Sequence, residues 1–284
     1  MTNAPLEPDL AALIETRTGP ILEATRTLRG FTSDYTGIIQ AASGRVFVKA
    51  VRAPGRLASS LEREAAINHA VQHVSPALRW QARGHGWHVL GFQHAPGVHA
   101  SFAPGSPDLP AVARAIDRIS TTVLPPAARD WRESRYDRYA NGTVGLFAGD
   151  TLLHGDLNPD NLLVGPDGDV TIVDWSWPTH GAAFIDPACL VVQLIAAGHT
   201  PAQAEDWAAR CTAWREADPA AVDAFAAATV RMHQRFEQLD PEPWRKAMTA
   251  AATSWAEQRA QTGRAALITQ DQAAAVTAHV CGPA

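Results

Sequence analysis

The stretch that decides the fold is His154-Gly155-Asp156-Leu157-Asn158-Pro159-Asp160-Asn161, which is followed by Ile172-Val173-Asp174. Asp156 and Asn161 lie on one loop, and Asp174 ends the next β-prone run after the turn Gly165-Pro166-Asp167-Gly168. Mg²⁺ binds carboxylate and amide oxygens, usually one or two from the protein together with substrate phosphates. We therefore expect Asn161 and Asp174 to bind metal, which leaves Asp156 to accept a proton from a hydroxyl nucleophile.

The order H-x-D-x-x-x-x-N, then two apolar residues and Asp, resembles the catalytic and metal loops of the kinase fold. HGDLNPDN in particular resembles the aminoglycoside phosphotransferase family, which shares its fold with choline and homoserine kinases. The alternative is that these Asp and Asn side chains only cap turns. Their order, their spacing and the flanking strands favour the kinase pattern. We call residues 154–161 the catalytic loop.

The resemblance covers residues 25–200 and implies an α+β, bilobal protein-kinase-like fold, with a small β-rich N-lobe and a larger, mostly helical C-lobe. It divides the chain into a nucleotide-binding lobe (1–92), a hinge (93–97) and a catalytic and acceptor-binding lobe (98–284). The local patterns agree with this division. We expect strands at 38–41, 45–51 and 88–92, and helices at 57–74, 109–122, 126–140, 183–198, 201–215, 219–238, 242–262 and 269–280.

Lys49 ends a predicted strand, as the phosphate-pairing Lys of the kinase fold does, and only two of the 24 basic residues are Lys. Glu64 lies on the apolar face of the next helix, where a lone carboxylate is costly without a partner. We therefore expect a Lys49–Glu64 ion pair that holds Lys49 on the phosphates. Glu62 is the competitor, but helical geometry turns it about 160° away from Glu64.

The nucleotide contacts are less regular. The loop that should cover the phosphates reads GFTSDYTG at 30–37 instead of G-x-G-x-x-G, so Thr32 and Ser33 are the candidate phosphate contacts. Backbone groups of Gln93 and Ala95, before a Pro-Gly pair, occupy the hinge position and would hydrogen-bond adenine. The alternative is an ordinary strand end.

Two further residues match supporting positions of the family. His154 is expected to orient the catalytic loop through hydrogen bonds. Asp186 either braces that loop or caps the helix that follows, and the two roles look identical in sequence.

Composition excludes several function classes. The chain has 284 residues, 46% hydrophobic and 19% charged, with a net charge of −5, which argues against a generic nucleic-acid binder. No apolar run approaches the length of a membrane span. The three cysteines are widely spaced, which argues against a disulfide framework or zinc site. With no signal-peptide pattern at the N-terminus, we expect a cytoplasmic protein with no membrane partner; its oligomeric state is left open.

Two absences argue against a protein substrate. Gly155 stands where protein kinases carry the Arg of H-R-D, and only the segment 175–185 separates Asp174 from Asp186, with no A-P-E. A small hydroxylated acceptor is therefore expected. Asp223 and Glu237 are candidates to bind its ammonium groups, and Trp175 and Trp177 are candidates to bind its rings, although such Trp residues are commonly core.

The sequence thus predicts an O-phosphotransferase that uses ATP (or GTP) and Mg²⁺ to phosphorylate a small molecule, such as an antibiotic of the aminoglycoside or nucleoside type. Because Arg residues are interleaved among the acidic residues of the C-terminal helices, an aminoglycoside is not the only acceptor class. The alternatives are a metabolic kinase for a choline-, homoserine- or sugar-like alcohol, and a nucleotide-binding pseudokinase with a regulatory role.

Overall fold

The computed structural model describes residues 6–27 and 33–280, with side chains to residue 262. Its first part contains α1 (Pro8–Thr18), β1 (Ile21–Arg26), β2 (Tyr35–Ala41), β3 (Gly44–Arg52), α2 (Ala58–Val71), β4 (Leu78–Gly84) and β5 (Trp87–Gln93). Its second part contains β6 (Val98–His99), α3 (Leu109–Ser120), β7 (Thr151–Leu153), β8 (Leu162–Val164), β9 (Val170–Ile172), β10 (Thr179–Gly181), α4 (Ile185–Ala196), α5 (Pro201–Ala208), α6 (Thr212–Arg215), α7 (Pro219–Leu239) and α8 (Pro243–Val280).

The strands of the first part form one antiparallel sheet in the order β1-β2-β3-β5-β4. Successive side chains of a strand point to opposite faces. In β3, Val48 and Ala50 pack with the buried residues of α1, whereas Phe47 and Val51 pack with α2. Lys49 shares the period-two face of Phe47 and Val51, so its side chain is directed towards α2.

Two small sheets in the second part position the motif residues. β7 pairs with β10, and β8 lies between β6 and β9. The catalytic loop connects β7 to β8, and Asp174 follows β9. The backbone N–H of Val173 donates to the carbonyl oxygen of Asn161 at 2.9 Å. This bond holds the end of the catalytic loop beside the residue that precedes Asp174.

The largest hydrophobic core lies among the helices of the second part. Its centre includes Phe225 of α7, whose ring lies 4.4 Å from Tyr136, 5.4 Å from Phe147 and 5.7 Å from Phe184 between centroids. The connecting segment 121–150 is therefore packed against α7. Within the described residues, no helix combines the length and apolar character needed to cross a membrane.

The expected α+β organisation, with a β-rich first part and a helical second part, is confirmed. The helix expected at 126–140 is wrong: that segment contains two short 3₁₀ turns and an isolated β-bridge between Arg132 and His180. Its polar groups make tertiary bonds instead, since the N–H of Glu133 donates to the carbonyl of His180 at 2.8 Å. The helices expected at 242–262 and 269–280 are one continuous helix, the helix expected at 201–215 is divided into α5 and α6, and α1, β1 and β4 lie outside the predicted elements. The lobe boundaries stay a prediction; β5 ends at Gln93.

Candidate active site

Lys49 and Glu64 form the ion pair that the sequence predicts. Lys49 Nζ lies 2.8 Å from Glu64 Oε2, and both side chains are buried. Burial, the largest influence on Glu64, raises the pKa of its carboxyl, whereas for Lys49 the neighbouring carboxylates outweigh burial and raise the pKa of the ammonium group. The competitor, Glu62, instead pairs with Arg83 on the surface at 3.0 Å. Helix phase therefore selects Glu64 as the partner.

Asp174, which is half-buried, completes a charge cluster with this buried pair. Its Oδ1 lies 2.7 Å from Lys49 Nζ and also accepts a hydrogen bond from the hydroxyl of Ser176. Burial raises the pKa of the Asp174 carboxyl, but the ion pair and hydrogen bonds outweigh that effect and lower it. Asp174 has φ of 64°, a left-handed conformation that is uncommon outside glycine and recurs at functional sites.

Two amide side chains orient the Asp156 carboxylate. Asn158 Nδ2 donates to Asp156 Oδ1 at 3.1 Å, and Asn161 Nδ2 donates to Asp156 Oδ2 at 3.1 Å. Asn161 Nδ2 also donates to the Asp156 carbonyl at 2.8 Å. The carboxylate itself is solvent-exposed. It is thus fixed in direction and open to a ligand, as a proton acceptor must be.

Asp186 and the ring of His154 hold the backbone of this loop in place. Asp186, 2% exposed, accepts the backbone N–H of His154 at 2.8 Å on one oxygen and that of Gly155 at 3.0 Å on the other. It is not the N-cap of α4, because that position is Phe184. Burial raises the pKa of the Asp186 carboxyl. The structure therefore favours the bracing role over the capping role.

The His154 ring links the catalytic loop to the strand before Asp174. Its Nε2 lies 3.0 Å from the carbonyl oxygen of Val173, and its Nδ1 lies 3.2 Å from the backbone nitrogen of Asp156. Since a carbonyl only accepts and an N–H only donates, these partners assign the neutral tautomer with its proton on Nε2. The ring also meets Trp175 edge to face at 4.7 Å between centroids.

Sequence reasoning missed Glu133 and Arg135, which lie in the wrongly predicted helix. Glu133 is buried, accepts from Arg135 Nε at 2.9 Å and from Thr179 at 3.0 Å, and has a lowered carboxyl pKa because these bonds outweigh its burial. Arg135 Nη1 donates to the Gly155 carbonyl at 2.6 Å. No motif marks these residues. The only indication of them in the sequence is Gly155, which has no side chain where protein kinases carry Arg.

The structure describes three of the four residues that we expect to contact the nucleotide. Thr32 lies outside the described residues. The Ser33 hydroxyl is buried and has no hydrogen-bond partner in the described part of the chain. The N–H of Gln93 already donates to the carbonyl of Ala77 at 2.8 Å, so it is not free for adenine. Backbone hydrogen bonds among the described residues leave Ala95 unengaged, so Ala95 stays the predicted adenine contact.

The four residues that we expect to contact the acceptor differ in their solvent exposure and in their ion pairing. Trp175 is 1% exposed and packs in the core, which does not suit contact with an acceptor, whereas Trp177 is 47% exposed two residues further on. Asp223 pairs with Arg259 of α8 at 2.5 Å. Glu237 is half-buried on α7 and makes no ion pair in the described part of the chain. Trp177 and Glu237 are the candidates still available to an acceptor.

The oxygen donors present suit Mg²⁺. The described residues contain no group of three or more His, Cys, Asp or Glu side chains that could hold a metal alone. Mg²⁺ does not need one, because phosphates and water complete its octahedron. Asn161 directs its amide nitrogen to Asp156, which leaves its Oδ1 as the hard donor, and Asp174 supplies carboxylate oxygen nearby.

Comparison with solved structures finds the same fold in aminoglycoside phosphotransferases. An aminoglycoside phosphotransferase from Alicyclobacillus acidocaldarius superposes with a TM-score of 0.58 at 16% identity, covering 92% of this chain and 97% of that one. A spectinomycin phosphotransferase in complex with ADP and spectinomycin gives 0.58 at 12% identity, covering 89% and 95%. A streptomycin-bound aminoglycoside phosphotransferase from Streptomyces rimosus, also with ADP, gives 0.53 at 17%, covering 77% and 96%.

No protein-family profile matches the sequence, and no curated protein matches it. The structural likeness extends over most of the chain at low identity. It establishes that this chain has the kinase-like fold of the aminoglycoside phosphotransferases, in agreement with the resemblance in the catalytic loop.

Proposed function

We propose that this chain is an ATP- and Mg²⁺-dependent O-phosphotransferase of the aminoglycoside phosphotransferase type, acting on a hydroxyl group of a small molecule. The observation that carries the proposal is the convergence of two sets of groups. The Lys49–Glu64–Asp174 cluster lies beside a catalytic loop whose Asp156 is exposed and oriented by two amides. The complexes of similar folds with ADP support nucleotide binding.

In the proposed reaction the acceptor hydroxyl oxygen forms a bond to the γ-phosphorus of ATP. The bond from that phosphorus to the β–γ bridging oxygen breaks, and ADP leaves with the electron pair. The hydroxyl proton passes to the Asp156 carboxylate. Because phosphoryl transfer proceeds through a loose transition state, positioning and charge neutralisation supply most of the rate enhancement.

The cluster residues would do that positioning. Lys49, held by Glu64, would contact the phosphates, and Asn161 with Asp174 would hold the metal ion. Bound Mg²⁺ would neutralise charge on the β- and γ-phosphates. His154 and Asp186 would keep Asp156 in place through the backbone of the catalytic loop.

The fold of segment 175–185 supports a small acceptor over a protein. Part of this segment is β10, which pairs with β7 directly before the catalytic loop, with Thr179 opposite Leu153. The chain therefore returns at once to the lobe and enters α4. A peptide-docking platform like that of protein kinases needs a longer segment between the metal-binding Asp and the helix that follows.

The acceptor is an antibiotic of the aminoglycoside or nucleoside type in the first form of this proposal. A metabolic alcohol, such as a choline-, homoserine- or sugar-like compound, is the second form, and the Arg partners of Glu133, Glu205 and Asp223 favour it over a polycation. The pseudokinase alternative is less supported, because Lys49, Asp156, Asn161 and Asp174 are all present and assembled.

The test is phosphoryl transfer from γ-labelled ATP by the purified chain to a panel of hydroxylated antibiotics and metabolites. We expect Asp156→Asn, which keeps shape but cannot take a proton, to lower turnover about a hundredfold or more while ATP binding is kept. Asp206→Asn on the exposed side of α5 makes the same chemical change away from the site and should have no effect. ATP binding without transfer to any acceptor would favour the pseudokinase reading, and transfer to generic proteins alone would refute a small acceptor.

A further inference from the structure

Arg135 occupies the space in which a side chain of residue 155 would stand. Gly155 has φ of 74°, and a Cβ built on it would lie 2.6 Å from Arg135 Nη2. The guanidinium therefore lies against the backbone of the catalytic loop although Arg135 is 20 residues earlier in the chain. Its position is a product of the tertiary structure.

Two groups lock this guanidinium in place. Glu133, 1% exposed, accepts from Arg135 Nε and Nη2, and the Gly155 carbonyl accepts from Nη1. The planar fork of Arg is pre-organised for such contacts, unlike the flexible stem of Lys. Glu133 also accepts a hydrogen bond from the Thr179 hydroxyl. This bond connects the guanidinium to β10, the strand that follows Asp174 in the chain.

The locked guanidinium still has capacity for a ligand. Of its five N–H groups, one on each nitrogen is engaged, which leaves two donors without a partner among the described residues. The side chain is 42% exposed. Backbone dimensions place Nη1 within about 6 Å of the Asp156 Cα, because it donates to the carbonyl of the preceding peptide unit. The guanidinium thus lies close to the backbone of Asp156, the residue proposed to receive the hydroxyl proton.

Charges around this part of the C-lobe disfavour a polycation. Glu133 and Asp137 pair with Arg135 and Arg132 in the same segment. On the C-terminal helices, the carboxylates with Arg partners are Glu205, Asp223 and Asp240. An enzyme that binds several ammonium groups needs free carboxylates to replace the lost hydration of each one. Both carboxylates closest to Arg135 in the chain, Glu133 and Asp137, are thus already engaged by guanidinium groups.

We propose that Arg135 determines acceptor specificity: its two free N–H groups bind an anionic or oxygen-rich group of the acceptor next to the hydroxyl that is phosphorylated. This inference rests on the proposed function, since it places the acceptor beside Asp156. It narrows the acceptor to a neutral or anionic hydroxylated molecule, in contrast to the aminoglycosides and spectinomycin named for similar folds.

The experiment compares three probes that share one ring and differ in charge: D-glucuronate, D-glucose and D-glucosamine. Each is titrated by NMR into the chain loaded with Mg²⁺ and ADP. We expect glucuronate to bind at least about tenfold tighter than glucosamine, as a charge-assisted hydrogen bond would provide. Arg135→Ala should bring the two affinities within about threefold, and Arg135→Lys, which keeps charge but loses the fork, should give an intermediate ratio. Arg17→Ala on α1 is the matched control and should behave like the unaltered chain.

Undetectable glucuronate binding, a preference for glucosamine, or an unchanged ratio in the two Arg135 variants would overturn the inference. Urea unfolding of each variant identifies a loss of structure, and Arg135→Lys keeps the test valid if Arg135→Ala does not fold. Phosphoryl transfer is measured in the same preparations. Transfer without the charge preference refutes only the role of Arg135, whereas the charge preference without any transfer refutes the proposed function and leaves an anion site at Arg135.

Discussion

Replacing Asp186 by Ser separates two roles that the sequence could not. Ser and Asp are about equally good helix N-caps. If Asp186 only capped α4, Asp186→Ser would change stability little. In the structure, however, the two carboxylate oxygens accept the backbone N–H groups of His154 and Gly155, at 2.8 and 3.0 Å. A Ser hydroxyl is too short to reach both of these donors.

The expected change in the free energy of unfolding follows from those two N–H donors. Each buried N–H left without an acceptor costs about 1–3 kcal/mol, so the pair would cost roughly 2–6 kcal/mol. Burial of the Asp186 charge is itself unfavourable, as its raised pKa indicates, and losing that charge offsets part of the cost. We therefore expect the free energy of unfolding to fall by about 3 kcal/mol, in the lower half of that range.

Urea unfolding, followed by circular dichroism and by tryptophan fluorescence, measures this change. The matched control is Asp218→Ser at the start of α7. The Asp218 carboxylate is a true N-cap that accepts the N–H of Ala220 at 2.9 Å, so its replacement should cost no more than about 0.5 kcal/mol. Asp186→Asn keeps one acceptor oxygen and should lie between the two. Equal, small effects of Asp186→Ser and Asp218→Ser would refute the bracing role.

Two further predictions concern ligands. Asp174→Ala should remove most of the Mg²⁺-dependent affinity for ATP in calorimetry while the chain stays folded. The control is Asp169→Ala, which removes an exposed carboxylate in the nearby turn and should leave that affinity unchanged. Unchanged Mg·ATP binding in Asp174→Ala would contradict the metal assignment. With an acceptor that carries an ammonium group, Glu237→Gln should raise the acceptor KM at least about threefold and leave the ATP KM unchanged, whereas with the neutral or anionic acceptor inferred from Arg135 it should change neither. Asp223→Asn, whose carboxylate already has an Arg partner, should change neither KM; a larger effect of Asp223 than of Glu237 in steady-state kinetics would reverse this assignment.

Local sequence was sufficient for the groups whose position depends on short-range geometry. Strand alternation directs Lys49 to the α2 face, and helix phase selects Glu64 over Glu62, so both partners of a buried pair could be predicted. Only the short strand β8 and the turn after it separate the catalytic loop from β9, the strand before Asp174. Their mutual position was therefore predictable from their spacing.

Other positions depended on which surfaces pack together. Trp175 and Trp177 have the same side chain two residues apart, yet one is buried against His154 and the other is exposed. Only the packing of the surrounding lobe distinguishes them. In the same way, the N–H of Gln93 is engaged because the chain at Ala77 lies alongside it, a contact that no local pattern marks.

Periodicity in the sequence predicted the β-rich and helical parts, and the resemblance of HGDLNPDN to the aminoglycoside phosphotransferases identified the catalytic loop and supported the Lys49–Glu64 pair. The tertiary structure alone decided that residues 126–140 are not a helix, that Asp186 braces the catalytic loop, and that the guanidinium of Arg135 lies at Gly155. These depend on backbone and side-chain polar groups that bond across 20 or more residues. A buried donor or acceptor must find a partner, and which partner it finds is settled only when the chain has folded.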